Sequence, residues 1–146
     1  MTERTATASW QGTLIEGSGT VSMETGVISD QPVTWAARTG DSDGMTSPEE
    51  LIAAAHAACY AMAFSNVLAG NGTPADSLDV TASVGFAPKT GGGMEIPYSK
   101  LTVVGKVPGL TSEQFAQLAI EGEEGCPVSN AIRNNVEITV DATLSS

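Results

Sequence analysis

MTSPEELIAAAHAACYAMAFSNVLA, residues 45–69, decides how the rest of the chain is read. Ser47 suits an N-cap, Pro48 the first helical position, and Glu50 completes an S-x-x-E capping box. Glu49 and Glu50 both fall in the first turn, where the positive end of the helix dipole favours carboxylates. From Leu51 to Ala69 there is no proline, glycine or formal charge, and Gly70-Asn71-Gly72 then supplies a glycine stop. Apolar residues and alanines fall on every face, which predicts a helix buried all round rather than an amphipathic one. Near its middle sits Cys59, one of two cysteines. His56, the only histidine, lies one turn earlier on nearly the same face. Taken alone, Cys59 reads as a small core hydrophobe and His56 as a packed or interface histidine.

Outward from this helix the chain reads as one α+β domain, residues 1–146. Thr5–Trp10, Thr13–Glu16 and Gly19–Met23 are rich in β-formers and are separated by turn residues; Val33–Ala36 continues the pattern weakly. Residues 37–47, ARTGDSDGMTS, form a glycine- and aspartate-rich loop carrying Arg38, whose charge also has Asp41 and Asp43 as near surface partners. After the helix, 78–87 alternates like a half-exposed strand. Residues 95–107 form a second strand, with Leu101, Val103 and Gly105 on one face. Thr111 and Gln114 open another helix, with Phe115, Leu118 and Ala119 on its apolar side, ending at Gly122–Gly125. Cys126 then precedes Pro127 as the N-cap of a short helix, and Val136–Leu144 is a closing strand. The expected fold is antiparallel sheets packed around the long buried helix. So small a chain has little with which to cover a helix apolar on all sides, which points to an intertwined homodimer.

Composition narrows the function. A net charge of −11 and a pI near 4.2 leave no basic patch for phosphates, so nucleic acid is not an expected partner. No run of ~18–20 residues is free of polar groups, so no membrane span is expected. MTERTATASWQG lacks a signal-peptide core, and the expected compartment is the cytoplasm, where thiols stay reduced. Two cysteines and one histidine, without C-x-x-C spacing, predict no metal site.

What remains is two thiols, an arginine and a glutamate. A thiol is nucleophilic as thiolate, a form that a nearby guanidinium stabilises, and a carboxylate can hold the guanidinium's planar fork. Such a set suits attack on a neutral electrophile. With a peroxide the product is a sulfenic acid, which condenses with a second thiol. SPEELIAAAHAACYAMAFS (47–65) resembles the central helix of the OsmC/Ohr family of organic hydroperoxide reductases, and GCPVSNAI (125–132) resembles the segment carrying its second cysteine. The His-Ala-Ala-Cys and Cys-Pro-Val-Ser forms resemble the OsmC branch. The resemblance implies a cofactor-free homodimeric peroxidase with active sites at the subunit interface, serving oxidative or osmotic stress defence and recycled by a small dithiol or dithiol protein. It implies Cys59 as the peroxidatic and Cys126 as the resolving cysteine, with Arg38 beside the thiolate and Glu49 as the glutamate of the P-E motif.

Helix electrostatics favour a lowered pKa at Cys126, at a helix start, and make mid-helix Cys59 a reluctant thiolate that depends on Arg38. Glu49 and Cys59 are ten residues apart, ~15 Å along a regular helix. That spacing predicts a composite site in which Glu49 of one chain supports Arg38 and Cys59 of a neighbour. Two other functions fit the residues: a Cys59–His56 thioesterase or esterase, in which Cys126 is dispensable, and an apolar-ligand binding protein with idle thiols.

Overall fold

The computed structural model describes residues 1–145. The chain forms two compact units, Met1–Leu51 and the segment from Ile52 onward.

In the first unit, β1 (Ala6–Gln11), β2 (Ser18–Met23) and β3 (Gln31–Val33) form an antiparallel meander. Thr13–Glu16, expected as a strand, is instead the turn between β1 and β2. Gly17 N–H donates to Thr13 O at 2.9 Å and Glu16 N–H to Thr13 Oγ1 at 3.2 Å, so local hydrogen bonds between two flanking glycines override β-propensity. Residues 35–39, expected as the end of a strand and the start of a loop, form a short helix, α1 (Trp35–Thr39). Its N-cap is Thr34, whose hydroxyl accepts from Ala37 N–H at 3.1 Å. Arg38 therefore stands on a helical turn rather than on a glycine loop.

The long helix α2 (Pro48–Gly70) starts where its cap residues place it, with Glu50 N–H donating to Ser47 Oγ at 3.1 Å. It ends in the first unit's successor at Asn71 and Gly72, whose amides bond back to Val67 and Ala69. Within the single chain its burial is one-sided. His56, Tyr60, Phe64 and Leu68 form one buried stripe at four-residue spacing, while Ala54, Ala55, Ala58 and Met62 are exposed in the single chain, Met62 to 69%. The outer face is alanine and methionine rather than charge, so the sequence offers no polar contrast to mark it. By length and composition α2 could cross a membrane, but its inner stripe packs into a protein core.

The second unit holds the sheet β4–β7–β8, formed by β4 (Ser77–Val84), β7 (Tyr98–Lys106) and β8 (Glu137–Leu144). A short ribbon, β5 (Ala87–Pro88) with β6 (Met94–Glu95), lies between β4 and β7 in the chain. β4 and β7 are antiparallel, but β7 and β8 are parallel, a departure from the all-antiparallel expectation. The connection carries α3 (Ser112–Glu124) and α4 (Pro127–Ile132), long enough for the crossover that a parallel pair requires. Thr111 and Gln114 make both bonds of the expected capping box on α3.

Alternation sends Ser99, Leu101, Val103 and Gly105 of β7 to the buried face. Leu101 and Val103 meet Phe64 of α2 and Phe115 of α3 in one core, with the two rings 5.1 Å apart. Two glycines permit this approach. A methyl on Gly105 would overlap the Phe115 ring, and one on Gly122 would sit 2.9 Å from Phe64 Cβ, so α3 packs directly on β7 and α2.

Candidate active site

Within the segment from Ile52 onward, α2 and the start of α4 bring the two cysteines together. Pro127 sets the first turn of α4, and Cys126 is its N-cap, with Sγ accepting from Ser129 N–H at 3.5 Å. Cys59 is partly exposed on α2, and the Val128 backbone amide and the Cys126 side chain both act on its thiol. Both thiols are free. The start of α4, expected to favour Cys126, gives that sulfur a backbone amide.

The Val128 amide does not activate Cys59 by itself. Burial pushes its thiol above the ordinary value, outweighing the Val128 amide, which lowers it; the bond to Cys126 and the charge on that sulfur push it further up. The reluctant thiolate expected of a mid-helix cysteine is what this unit contains. A positive charge must come from outside these residues if Cys59 is to ionise at neutral pH.

In the first unit, α1 presents Arg38 to the start of α2. Its Nη2 donates to Glu49 Oε1 at 2.7 Å, and Nε lies 3.1 and 3.2 Å from the two carboxylate oxygens. Glu49 is only 6% exposed. This two-point pairing fixes the plane of the guanidinium. It is made within one chain, which corrects the expectation that Glu49 supports a neighbour's Arg38. The reason is local: Glu49 stands only eleven positions after Arg38 in the chain. Beside the pair opens a cavity of about 320 Å³ lined by Trp10, Leu14, Val33, Thr34, Trp35, Arg38, Thr46 and Pro48. Its walls are apolar apart from the guanidinium and two hydroxyl-bearing threonines.

His56 is fully buried as a packed histidine, and both ring nitrogens are occupied. Nδ1 lies 2.7 Å from Ser99 Oγ, and Nε2 lies 2.8 Å from Ser129 Oγ. With neither nitrogen left for a thiol, a Cys59–His56 hydrolytic pair has no base, and that alternative falls. Burial lowers the His56 pKa, against a smaller upward pull from Glu123. Glu123, 7% exposed, is itself paired with Arg133 at 2.7 Å.

Sequence reasoning did not single out Ser99, Ser129, Glu123 or Arg133. Only Ser99 carried a signal, as a polar residue in register with Leu101 and Val103 on the inward face of a strand, which obliges a buried partner.

A family model described as OsmC-like protein matches residues 40–141. The chain belongs to the OsmC family. It is 40% identical over 139 residues to Peroxiredoxin OsmC of Escherichia coli (strain K12), covering 95% of this chain and 94% of that one. The crystal structure of the organic hydroperoxide resistance protein OhrB of Bacillus subtilis superposes with a TM-score of 0.75 at 26% identity, covering 95% of this chain and 98% of OhrB. An organic hydroperoxide resistance protein from Elizabethkingia anophelis, solved with thiocyanate bound, gives 0.73 at 29% identity over 99% of both chains.

Proposed function

We infer that the chain is a cysteine-based peroxidase that reduces organic hydroperoxides to alcohols. The observation that carries this reading is the pairing of two free thiols at the start of α4, one partly exposed and one buried behind it. Cys59 as thiolate attacks the outer peroxide oxygen. The O–O bond breaks, the alkoxide takes a proton and leaves as alcohol, and Cys59 becomes a sulfenic acid. Cys126 attacks that sulfur, water leaves, and a Cys59–Cys126 disulfide remains. A thiol reductant restores both thiols; a dithiol suits the task because its second sulfur completes the exchange intramolecularly.

The working form is a homodimer, and each chain acts as one functional domain. The exposed Ala54, Ala55, Ala58 and Met62 face of α2 supports this, since an apolar face of that kind is covered in stable proteins. Arg38 supplies the positive charge that Cys59 lacks, and it does so across the dimer. Its partner Glu49 begins the uninterrupted helix in which Cys59 lies ten residues later, a rise of ~15 Å. The apolar cavity beside Arg38 receives the hydrocarbon part of the peroxide, which favours bulky substrates over hydrogen peroxide. The same reading places the chain in the cytoplasm, where thiols are kept reduced, with a role in oxidative or osmotic stress defence.

The test is peroxide consumption with cumene hydroperoxide and a dithiol. The native chain turns over repeatedly, Cys59→Ser consumes none, and Cys126→Ser consumes one equivalent per chain. Repeated normal turnover by Cys126→Ser would refute the resolving role, and retained activity in Cys59→Ser would refute the reading as a whole.

A further inference from the structure

His56 joins three elements, and the peroxidase chemistry above gives it no task. Its ring lies between Ser99 on β7 and Ser129 on α4, with hydrogen bonds of 2.7 and 2.8 Å. A neutral imidazole has one donor and one acceptor, so one serine donates to the ring while the other accepts from it. All three side chains are buried, and every such group costs free energy when its bond is missing. A wholly apolar bridge would fill the same space without that liability, so the polar link calls for an explanation beyond packing.

The explanation lies one bond further on. Ser129, gripped through its hydroxyl, donates its backbone N–H to Cys126 Sγ, and the preceding amide, that of Val128, reaches Cys59. Six residues are too few to hold a helix on their own, so α4 takes its place from its tethers. One tether is the Arg133–Glu123 pair at its far end, where Arg133 Nη2 meets Glu123 Oε1 at 2.7 Å. The other is the His56 bridge at its near end. Between them the first turn of α4 is pinned to the sheet through Ser99 and to α2 through His56, the helix that carries Cys59.

We propose that His56 is a positioning residue for the resolving step: its bridge from Ser99 to Ser129 fixes the first turn of α4 so that Cys126 Sγ is aimed at the Cys59 sulfenic acid. The proposal rests on the peroxidase reading. In the step it serves, the Cys126 sulfur bonds to the Cys59 sulfur, the Cys59 S–O bond breaks, and the departing hydroxide combines with the Cys126 proton as water. His56 neither gives nor takes a proton, since both its nitrogens are engaged by the serines. Its effect therefore falls chiefly on the geometry of disulfide closure, with a smaller effect on peroxide attack through the Val128 amide that lowers the Cys59 pKa.

Single-turnover kinetics on the full chain separate the two steps. Peroxide loss reports sulfenic acid formation; acid-quenched samples, with dimedone capturing residual sulfenic acid, report disulfide closure by mass. In Ser129→Ala the first step stays within about twofold of the native rate, while closure slows about tenfold, the weight of one lost buried hydrogen bond at a reacting geometry. Excess peroxide then drives more Cys59 to sulfinic acid. His56→Leu behaves likewise, and His56→Gln, whose amide keeps a donor and an acceptor, recovers part of the rate. Should His56→Leu fail to fold, Ser129→Ala decides alone. Closure at the native rate in Ser129→Ala overturns the proposal, and so does equal slowing of both steps, which is the mark of general loosening. Failure of Cys126→Ser to accumulate any Cys59 sulfenic acid would instead strike the peroxidase reading itself.

Discussion

Replacing Arg38 by alanine is expected to cost stability as well as activity. A surface arginine on a loop would contribute almost nothing, because exposed ion pairs are worth about 0–1 kcal/mol. Arg38 is different: its guanidinium is 29% exposed, but the Glu49 side chain it holds is 8% exposed and receives contacts at 2.7, 3.1 and 3.2 Å. Removing one partner of a fully buried pair costs about 3–5 kcal/mol, because the other charge is stranded. The partial exposure of Arg38 admits water to the vacated site, which brings the expected loss down to about 2 kcal/mol. The corollary is that Glu49→Gln, which removes the stranded charge, recovers roughly half of it in the double variant. Urea unfolding of the native chain, both single variants and the double variant, at one protomer concentration, gives the coupling energy directly. A loss below about 0.5 kcal/mol in Arg38→Ala, or a double variant no more stable than Arg38→Ala, would show that Glu49 is solvated and the pair incidental.

Three further outcomes are expected. Gly105→Ala pushes a methyl into the Phe115 ring, with Leu78 Cδ2 only 2.9 Å away, and costs about 1–3 kcal/mol in a urea midpoint; an unchanged midpoint would show that α3 is not seated on β7 as described. His56 has its pKa lowered by burial, so the unfolded chain takes up a proton at higher pH than the folded one. Stability from this group is therefore complete above the unfolded value of about 6.5 and is lost as pH falls through the folded value. Thermal midpoints from pH 7.5 downward should drop more steeply for the native chain than for His56→Gln, and identical slopes would refute the assignment. Met62→Glu places a charge on the uncovered face of α2, where Met62 is 69% exposed in the single chain. If that face is the dimer contact, light scattering shows dissociation, whereas an intact dimer would place the contact elsewhere.

The ends of α2 and α3 were legible because caps are local. Ser47 and the Thr111–Gln114 pair act through bonds spanning three residues and Pro48 through its fixed φ, and all lie where the sequence puts them. The faces of α2 were not legible, since Ala54, Ala55 and Ala58 look the same whether they meet core or open surface. Thr13–Glu16 misled for a related reason: Leu14 and Ile15 favour strands, yet the register that pairs Gln11 with Ser18 forces them into the turn. The parallel pairing of β7 with β8 depends on a crossover between distant segments and leaves no trace in either strand's own alternation. At the site, the two cysteines and the Arg38–Glu49 pair were readable as chemistry. The His56 bridge was not, because Ser99 and Ser129 stand 43 and 73 residues from the histidine they bind.

A thiol count tests the two-cysteine peroxidase reading most directly. The reduced chain carries two free thiols, Cys59 and Cys126. One equivalent of cumene hydroperoxide per chain should consume both, yielding an intrachain disulfide whose tryptic peptide joins the two cysteines, and a dithiol should return both. Loss of one thiol only, or no loss at all, would contradict it.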